Sequence, residues 1–447
     1  MDWNVVSGGS SEAVGSRRAA KRTILALAFA SLFTGDVTAQ RQMEALGRGI
    51  VAIRRENAEV FIAWRLLGTD PEGIAFNVYR TAAGIAPEKL NAEPLGTTTW
   101  FVDTKAKLDQ ANSYFVRPVV GGTEQSPSAS HTLPAGAPPR PYLSIPLQTP
   151  EGYVSNDASV GDLDGDGEYE IVLHQASRGR DNAQRGETGE PILEAYELDG
   201  KLLWRIRLGK NIREGAHYTQ FMVYDLDGDG RSEVACKTAD GTVDGKGKTI
   251  GDASVDHRDR AGYVLDGPEF LTVFDGQTGG ALATVDYLPP RERVSAWGDD
   301  YGNRVDRFLA CVAYLDGKRP SLVMCRGYYT RAVLVSWNWR DGALTKVWVF
   351  DSDDGTPGND AYRGQGNHGL SVGDWREEVV WRTRDNRELR IYTTTIPTPR
   401  RMYTLMHDPP YRLSVAWQNV AYNQPTQPGF YLGEDMQQPP RPAIIAR

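Results

Sequence analysis

The run Asp162-Leu163-Asp164-Gly165-Asp166-Gly167-Glu168-Tyr169-Glu170 returns as Asp225-Leu226-Asp227-Gly228-Asp229-Gly230-Arg231-Ser232-Glu233. Carboxylates at loop positions one, three, five and nine, with glycine at six for the sharp turn, make the oxygen-rich loop that a hard divalent cation requires. The residue at position seven, Glu168 or Arg231, gives its backbone carbonyl. Each copy leads into Ile171-Val172-Leu173 or Val234-Ala235-Cys236, which read as strands, so the helix-flanked calcium hand is excluded. Asp-Gly pairs are also ordinary hairpin residues, but two near-identical acid-rich copies favour metal. Calcium is the expected cofactor, and Asp157, just upstream of Asp162, is a further candidate ligand of the first loop.

Two histidines sit in Gly-rich loops. His368, next to Asn367 and close to Asp374, is a candidate metal or cleft residue, because neutral imidazole can join a mixed oxygen site. For His217 a cleft role and a plain hydrogen bond to backbone stand open. So do a third calcium site and a two-turn loop for Asp240 and Asp244. Arg304 and Arg307 follow Asp299-Asp300, and Arg331 follows Tyr328-Tyr329-Thr330. A guanidinium matches a carboxylate in two parallel bonds, and aromatic faces suit sugar rings. Each arginine alone is more simply paired with Asp299, Asp300 or Asp306; as a set they make an anionic subsite.

Strands must position these groups. Val312 to Val323 aligns without gaps on the second acid loop, but Tyr314, Lys318 and Leu322 replace its acids, and no calcium is expected there. Val372 to Val380 begins and ends like the others in a shortened form, also expected to be metal-free. A second strand pair follows the first three copies, turning at Asp199-Gly200, Asp275-Gly276 and Asp341-Gly342. Strand, turn and strand recurring in four-stranded units is the signature of a β-propeller, whose blades bury faces that none could bury alone; a sandwich also fits short, evenly spaced strands. The fold expected is all-β. At roughly 40 to 50 residues per blade, Tyr153 to Met436 holds about six blades at most.

Residues 44–133 differ in character. Val60 to Trp64, Phe76 to Arg80 and Ser113 to Arg117 resemble strands of a fibronectin type III-like β-sandwich, with Trp64 and Tyr114 as core aromatics. The proline-rich stretch 134–141 reads as a stiff linker, 142–436 as the propeller, and 437–447 as a C-terminal tail. Arg17, Arg18, Lys21 and Arg22 precede a short apolar run, Thr23 to Phe33, with small residues before Gln40, so 1–39 reads as a secretory signal peptide and the protein as secreted, extracellular or periplasmic. The run is too short to span a bilayer, and no membrane span is expected.

Fifty basic against fifty-eight acidic residues give a net charge of -8, which disfavours nucleic acid and leaves an acidic substrate dependent on a local basic cleft. The three cysteines, Cys236, Cys311 and Cys325, cannot all pair within the chain. Cys236 and Cys325 fall at one place in the gapless repeat, and they read first as small buried residues and second as a disulfide. A monomer is expected.

Asn156 to Asp162, Gly215 to Phe221, Lys237 to Gly245, Gly364 to Leu370 and Ala421 to Pro425 resemble the family 11 polysaccharide lyases, the rhamnogalacturonan lyases. The resemblance runs from about Leu46 to Met436. It implies a calcium-dependent enzyme with a large propeller, eight-bladed in the family, that cuts the rhamnose–galacturonate backbone of pectin by β-elimination. It also places Asn156, Tyr422 and Asn423 at the substrate, beside Arg304 and Arg331, and leaves Tyr422, His368 and Arg331 as cleft candidates without identifying the base. Two departures stand out. The family's long stretch between the segments matched by Gly369 to Asp374 and by Trp375 to Glu378, including an Asn-Gly-Thr-Lys segment of the cleft, has no counterpart, so blades are missing around Gly373-Asp374. His174-Gln175-Ala176 stands where the family usually has Lys-Trp-Asp. The resemblance thus implies a lyase of the endo type; the alternatives are a calcium-stabilised propeller that binds pectin without cleaving it, and an adhesion module.

Overall fold

The computed structural model describes residues 40–82, 86–357, 379–420, 425–433 and 435–447. The expected signal peptide, the Gly373-Asp374 junction, His368, Tyr422 and Asn423 lie outside the described residues.

The N-terminal part holds two antiparallel sheets. Val60–Ala63 lies between Val51–Arg54 and Trp100–Asp103, while Ala75–Ala82 pairs with Glu88–Lys89 and with Asn112–Val120. The sheets share one core of Val60, Ile62, Trp64, Phe76, Val78, Tyr114 and Val116. The buried Tyr114 hydroxyl donates to the Asp103 carboxylate at 3.1 Å, which supplies the partner a buried phenol needs.

Among the described residues the remainder forms four antiparallel sheets, three of them in sequence-local order. The first runs Val154–Gly161, Glu170–Ala176, Ile192–Tyr196 and Leu202–Arg207, extended by the short strands Thr242–Val243 and Thr249–Ile250. The second is Phe221–Tyr224, Glu233–Ala239, Glu269–Phe274 and Ala281–Asp286, and the third Phe308–Ala313, Ser321–Arg326, Val333–Arg340 and Ala343–Asp351. A closing sheet joins Tyr142–Pro146 to Glu388–Tyr392 and then Val379–Arg382, tying the start of this region to its end.

Apolar alternation along each strand gives every sheet two faces, and the faces pack in one sense. Ile145 and Leu389 of the closing sheet meet Ile171, Leu173 and Tyr196 of the first. The opposite face of the first sheet, Val172, Leu193, Ala195 and Trp204, meets Phe221, Val223, Val234 and Cys236 of the second. Met222, Tyr224, Ala235 and Val273 on the second sheet's other side meet Phe308, Ala310, Met324 and Val335 of the third. Each of these sheets therefore turns a leading face to its successor's trailing face, in the order closing, first, second, third.

Three sequence expectations change. The loop after the first strand spans 162–169 and 225–232 in the first two sheets but 314–320 in the third, so the gapless alignment slips by one residue. A one-residue slip turns side chains to the other face: Cys236 packs toward the preceding sheet, whereas Cys325 lies on the face that points away from it. All three cysteines are free thiols. The expected C-terminal tail is not a tail, because Ile444–Ala446 pairs in parallel with Arg41–Met43, just before the sandwich. Finally, the one α-helix among the described residues, Pro409–Trp417, packs against the first strands of the first, second and third sheets. The Asp408 side chain caps its N-terminus, and Ala416 joins the core between the second and third sheets.

Candidate functional site

The two acid loops occupy the same end of the first and second sheets. In the first, Asp162 Oδ1 accepts from Gly165 N at 2.6 Å, Asp162 Oδ2 from Gly167 N at 2.8 Å, and Glu170 Oε2 from Leu163 N at 2.6 Å. In the second, Asp225 accepts from Gly228 N at 2.6 Å and Gly230 N at 3.1 Å, and Glu233 from Leu226 N at 2.9 Å. The glycines at position six, Gly167 and Gly230, hold φ of 88° and 94°, a region closed to most side chains. So wrapped, Asp162, Asp164 and Glu170 bring one oxygen each within 4.8 Å of one another, and Asp225, Asp227 and Asp229 do the same.

The carboxylates of each loop repel one another. Burial, reinforced by Glu44 and Asp166, pushes Asp162 up to about 6, and burial with Glu44 pushes Asp225 up to about 7. Burial, with Asp164 next, takes Glu170 to about 8; burial, with Asp227 next, takes Glu233 to about 9. Clustered carboxylates of this kind lose their mutual repulsion when a divalent cation sits among them. The donor set of oxygens alone fits a hard ion such as calcium.

The other candidate ligands separate. Glu168 turns its carboxylate to Gly49 N at 3.1 Å and Arg65 at 3.6 Å, so only its backbone remains for the loop. Asp166 and Asp229 each accept from the amide two residues on, at 2.8 and 2.9 Å. Arg231 lays its side chain across Gly165. Asp157 is not a ligand of the first loop: it lies in a bulge at the far end of the strand Val154–Gly161, bonded to Asn156 at 3.0 Å and raising the pKa of His174. In the third sheet the place of the first acid belongs to Tyr314, whose hydroxyl meets that of Tyr224 at 2.9 Å and donates to Gln42 O at 2.5 Å. Asp240 and Asp244 bind locally, Asp240 to His257 at 2.9 Å and Asp244 to Lys246 and Lys248 amides.

Glu44 was not legible as part of this centre. It accepts from Ser232 Oγ at 2.9 Å and Tyr169 OH at 3.1 Å, contacting the end of each loop, and from Arg412 at 2.8 and 2.6 Å. Burial alone would raise its pKa, but Arg412 outweighs burial and holds Glu44 below the ordinary carboxylate range. Neither residue lies in a motif, and 368 positions separate them; only the pairing of the chain ends brings them together.

A second set of polar groups gathers at the opposite ends of the same strands. On the first sheet, His174 Nε2 lies 3.2 Å from Glu214 and its Nδ1 3.4 Å from Asn156 Nδ2. Burial disfavours the imidazolium there, but Glu214 and then Asp157 outweigh it and lift His174 above its ordinary value. Between the second and third sheets, Glu269 binds Lys237 at 3.0 Å, Arg291 at 2.8 Å and Arg326 at 2.6 Å, and those three cations hold it far below its usual range against burial. Arg326 also stacks over Phe308 at 4.9 Å and Tyr287 at 5.3 Å.

Of the arginines expected at a subsite, Arg331 and Arg304 border Trp297 and Gly298, while Arg307 turns to Asp181 and Tyr328. Arg331 stacks on its ring at 4.8 Å and binds the Asp351 carboxylate through Nε at 3.0 and 3.1 Å. Arg304 pairs with Asp299 at 3.8 Å and borders Gly298 and Thr330. Arg307 reaches Asp181 at 3.5 Å and stacks over Tyr328 at 5.0 Å. Asn156 sits apart from them, on the first sheet. His217 is buried, its backbone carbonyl accepting from Phe308 N at 3.1 Å.

Comparison with known proteins gives this geometry a context. A model of the rhamnogalacturonan lyase family 11 C-terminal domain matches residues 142–374 and again 371–442, and one of the rhamnogalacturonan I lyases beta-sheet domain matches 41–133. The rhamnogalacturonan endolyase YesW of Bacillus subtilis (strain 168) is 40% identical over 593 aligned positions, covering 90% of this chain and 93% of that protein. The exolyase YesX of the same organism is 38% identical, covering 91% and 98%. The crystal structure of exotype YesX superposes with a TM-score of 0.83 at 37% identity, over 91% of this chain and 99% of that one, and the Bacillus licheniformis rhamnogalacturonan lyase PL11 with 0.83 at 40%, over 91% and 100%.

Proposed function

Since the chain belongs to rhamnogalacturonan lyase family 11, we propose that it is a secreted polysaccharide lyase that cuts the rhamnose–galacturonate backbone of pectin within the chain, braced by calcium. The observation that carries this reading is identity near 40% to rhamnogalacturonan lyases over about nine-tenths of the chain. The endo assignment follows the endolyase, the more similar of the two Bacillus subtilis relatives, at 40% against 38%. Secretion follows from the basic and apolar residues of 1–39.

The reaction removes the C5 proton of a galacturonate and expels the O4 oxygen. Its difficulty is charge, since the carbanion forms beside a carboxylate, and a fixed cation offsets that charge. Arg331, set on the Trp297 face with Arg304 nearby, is suited to hold the uronate; Asn156, on the first sheet, would meet sugar further along the polymer. His368, Tyr422 and Asn423 complete the expected cleft. Bound calcium would supply positive charge and crosslink the loops that hold it. Because Asp162, Asp164, Glu170, Asp225, Asp227 and Asp229 gather at the far ends of the strands from Asn156 and His174, their role in this reading is to fix the sheets rather than to touch sugar.

We also read the four sheets as propeller blades beside a fibronectin type III-like module, with blades missing at the junction. The family model matches twice, meeting at 371–374. An alignment of 593 positions cannot be filled by 447 residues, so a long stretch of the endolyase has no counterpart here. The test is mass spectrometry of products from rhamnogalacturonan I. Fragments of many lengths, each with an unsaturated uronate end, are expected. Bound but uncut polysaccharide would overturn the enzyme reading, and unsaturated disaccharides alone would overturn the endo assignment.

A further inference from the structure

Among the described residues, the packing order leaves two faces without a partner sheet. Closing, first, second and third sheets join leading face to trailing face through three apolar cores. At one end stands the third sheet's leading face, where Cys311, Val323, Cys325, Leu334 and Trp348 line up across the strands. None of these residues belongs to an apolar core among the described residues. Its centre, Val323 and Cys325, is buried, and toward the edge Trp348 is 47% exposed. At the other end stands the closing sheet's trailing face, with Tyr142, Tyr392, Val379 and Trp381 on one side of the strands. Tyr392 contacts Tyr142 at 5.1 Å and Trp381 at 6.0 Å, Arg390 stacks over Tyr142 at 4.6 Å, and Trp381 is 67% exposed. Aromatic patches of this kind mark association surfaces.

The two faces are complementary by the chain's own rule, since one leads and the other trails. The superposition on the Bacillus licheniformis lyase, at a TM-score of 0.83, spans 91% of this chain and 100% of that one. At least 146 aligned positions of the endolyase, 593 less the chain's 447 residues, have no counterpart. At about 40 to 50 residues per blade that is roughly three blades or more. Rings of 4 to 8 blades are geometrically allowed, and two copies of four sheets supply eight.

We propose that two copies of this chain associate about a two-fold axis, each seating the leading face of its third sheet on the trailing face of its partner's closing sheet, so that two half-rings close into one ring of eight sheets. The proposal goes beyond the assigned reaction and rests on the reading of the sheets as blades. It replaces the expectation of a monomer. Two-fold closure uses both faces twice and leaves neither open, whereas a rotation that fails to close would give filaments.

The test is the molar mass of the full chain by light scattering after gel filtration, over a hundredfold range of concentration. A species of twice 49.4 kDa is expected. Trp348→Glu on one face and Trp381→Glu on the other should each return the mass to that of one chain while keeping the far-ultraviolet circular dichroism spectrum of the folded protein, because both side chains are exposed in the single chain. An equimolar mixture of the two variants keeps one intact contact per pair and should show dimer that neither variant shows alone. A single-chain mass at every concentration, growth beyond two copies, or dissociation by only one of the substitutions would overturn it. Activity plays no part in these readouts, so an inactive but dimeric protein would sink the lyase reading alone.

Discussion

A buried ion pair that the repeat does not reveal holds the two acid loops. Arg412 and Glu44 have side chains 0% and 2% exposed, so removing one leaves the other charged without a partner. Such a loss costs about 3–5 kcal/mol. Arg412→Ala is therefore expected to lower unfolding stability by that much in urea titration, and a change below about 1 kcal/mol would deny the pair its place. Asp225 makes a sharper point about metal. Asp225→Asn keeps the side-chain volume and weakens the second loop's charge, so calcium should raise its melting temperature less than it raises that of the native protein; saturation at a hundredfold excess over Kd is worth about 2.7 kcal/mol per site. Equal calcium-dependent rises in both proteins would remove Asp225 from the ligand set. At this scale the sequence spoke clearly only where chemistry was local. Two acid loops were legible because their clustered carboxylates fall within nine residues, as in Asp162 to Glu170. Asp157 misled because proximity in sequence along an extended strand is distance in space.

Between elements, one imidazole joins the sandwich to the turn before the helix. His407 Nδ1 accepts from Gly68 N at 2.9 Å, which requires the neutral ring, and burial drives its pKa down to about 4. The unfolded ring binds a proton near 6.5. Between those values the unfolded state holds more protons, so this contribution is complete above about pH 6.5 and drains away as pH falls toward 4, by about 3 kcal/mol. The urea midpoint should fall across that window, and His407→Gln should flatten the fall; a midpoint level from pH 6.5 to 4 would contradict the assignment. Element order was largely legible from turn pairs such as Asp199-Gly200 and Asp275-Gly276. Register was not: the third loop's missing residue has no signature in Tyr314 to Pro320, and it became visible only through the pairing of Ala313 with Ser321. The strand Ile444–Ala446 escaped for a related reason, since its partner lies at the other end of the chain.

For the whole molecule, the reading rests on a lyase whose sheets are braced at one end by cations and offer polar groups at the other. The division between 41–133 and 142–442 follows the proline-rich stretch, where composition changes abruptly. The family model's two matches overlap at 371–374, where Gly373-Asp374 reads in sequence as the end of one repeat and the start of another. What sequence could not supply was the sense in which faces stack, which depends on how many residues each loop spends before its strand turns back. The most direct test of the account is the ultraviolet absorbance of unsaturated uronate ends released from rhamnogalacturonan I, first with calcium and then after chelation. Absorbance that climbs with calcium, stops on chelation and resumes when calcium is restored is the result predicted. No absorbance under any condition, or a rate indifferent to the chelator, would contradict it.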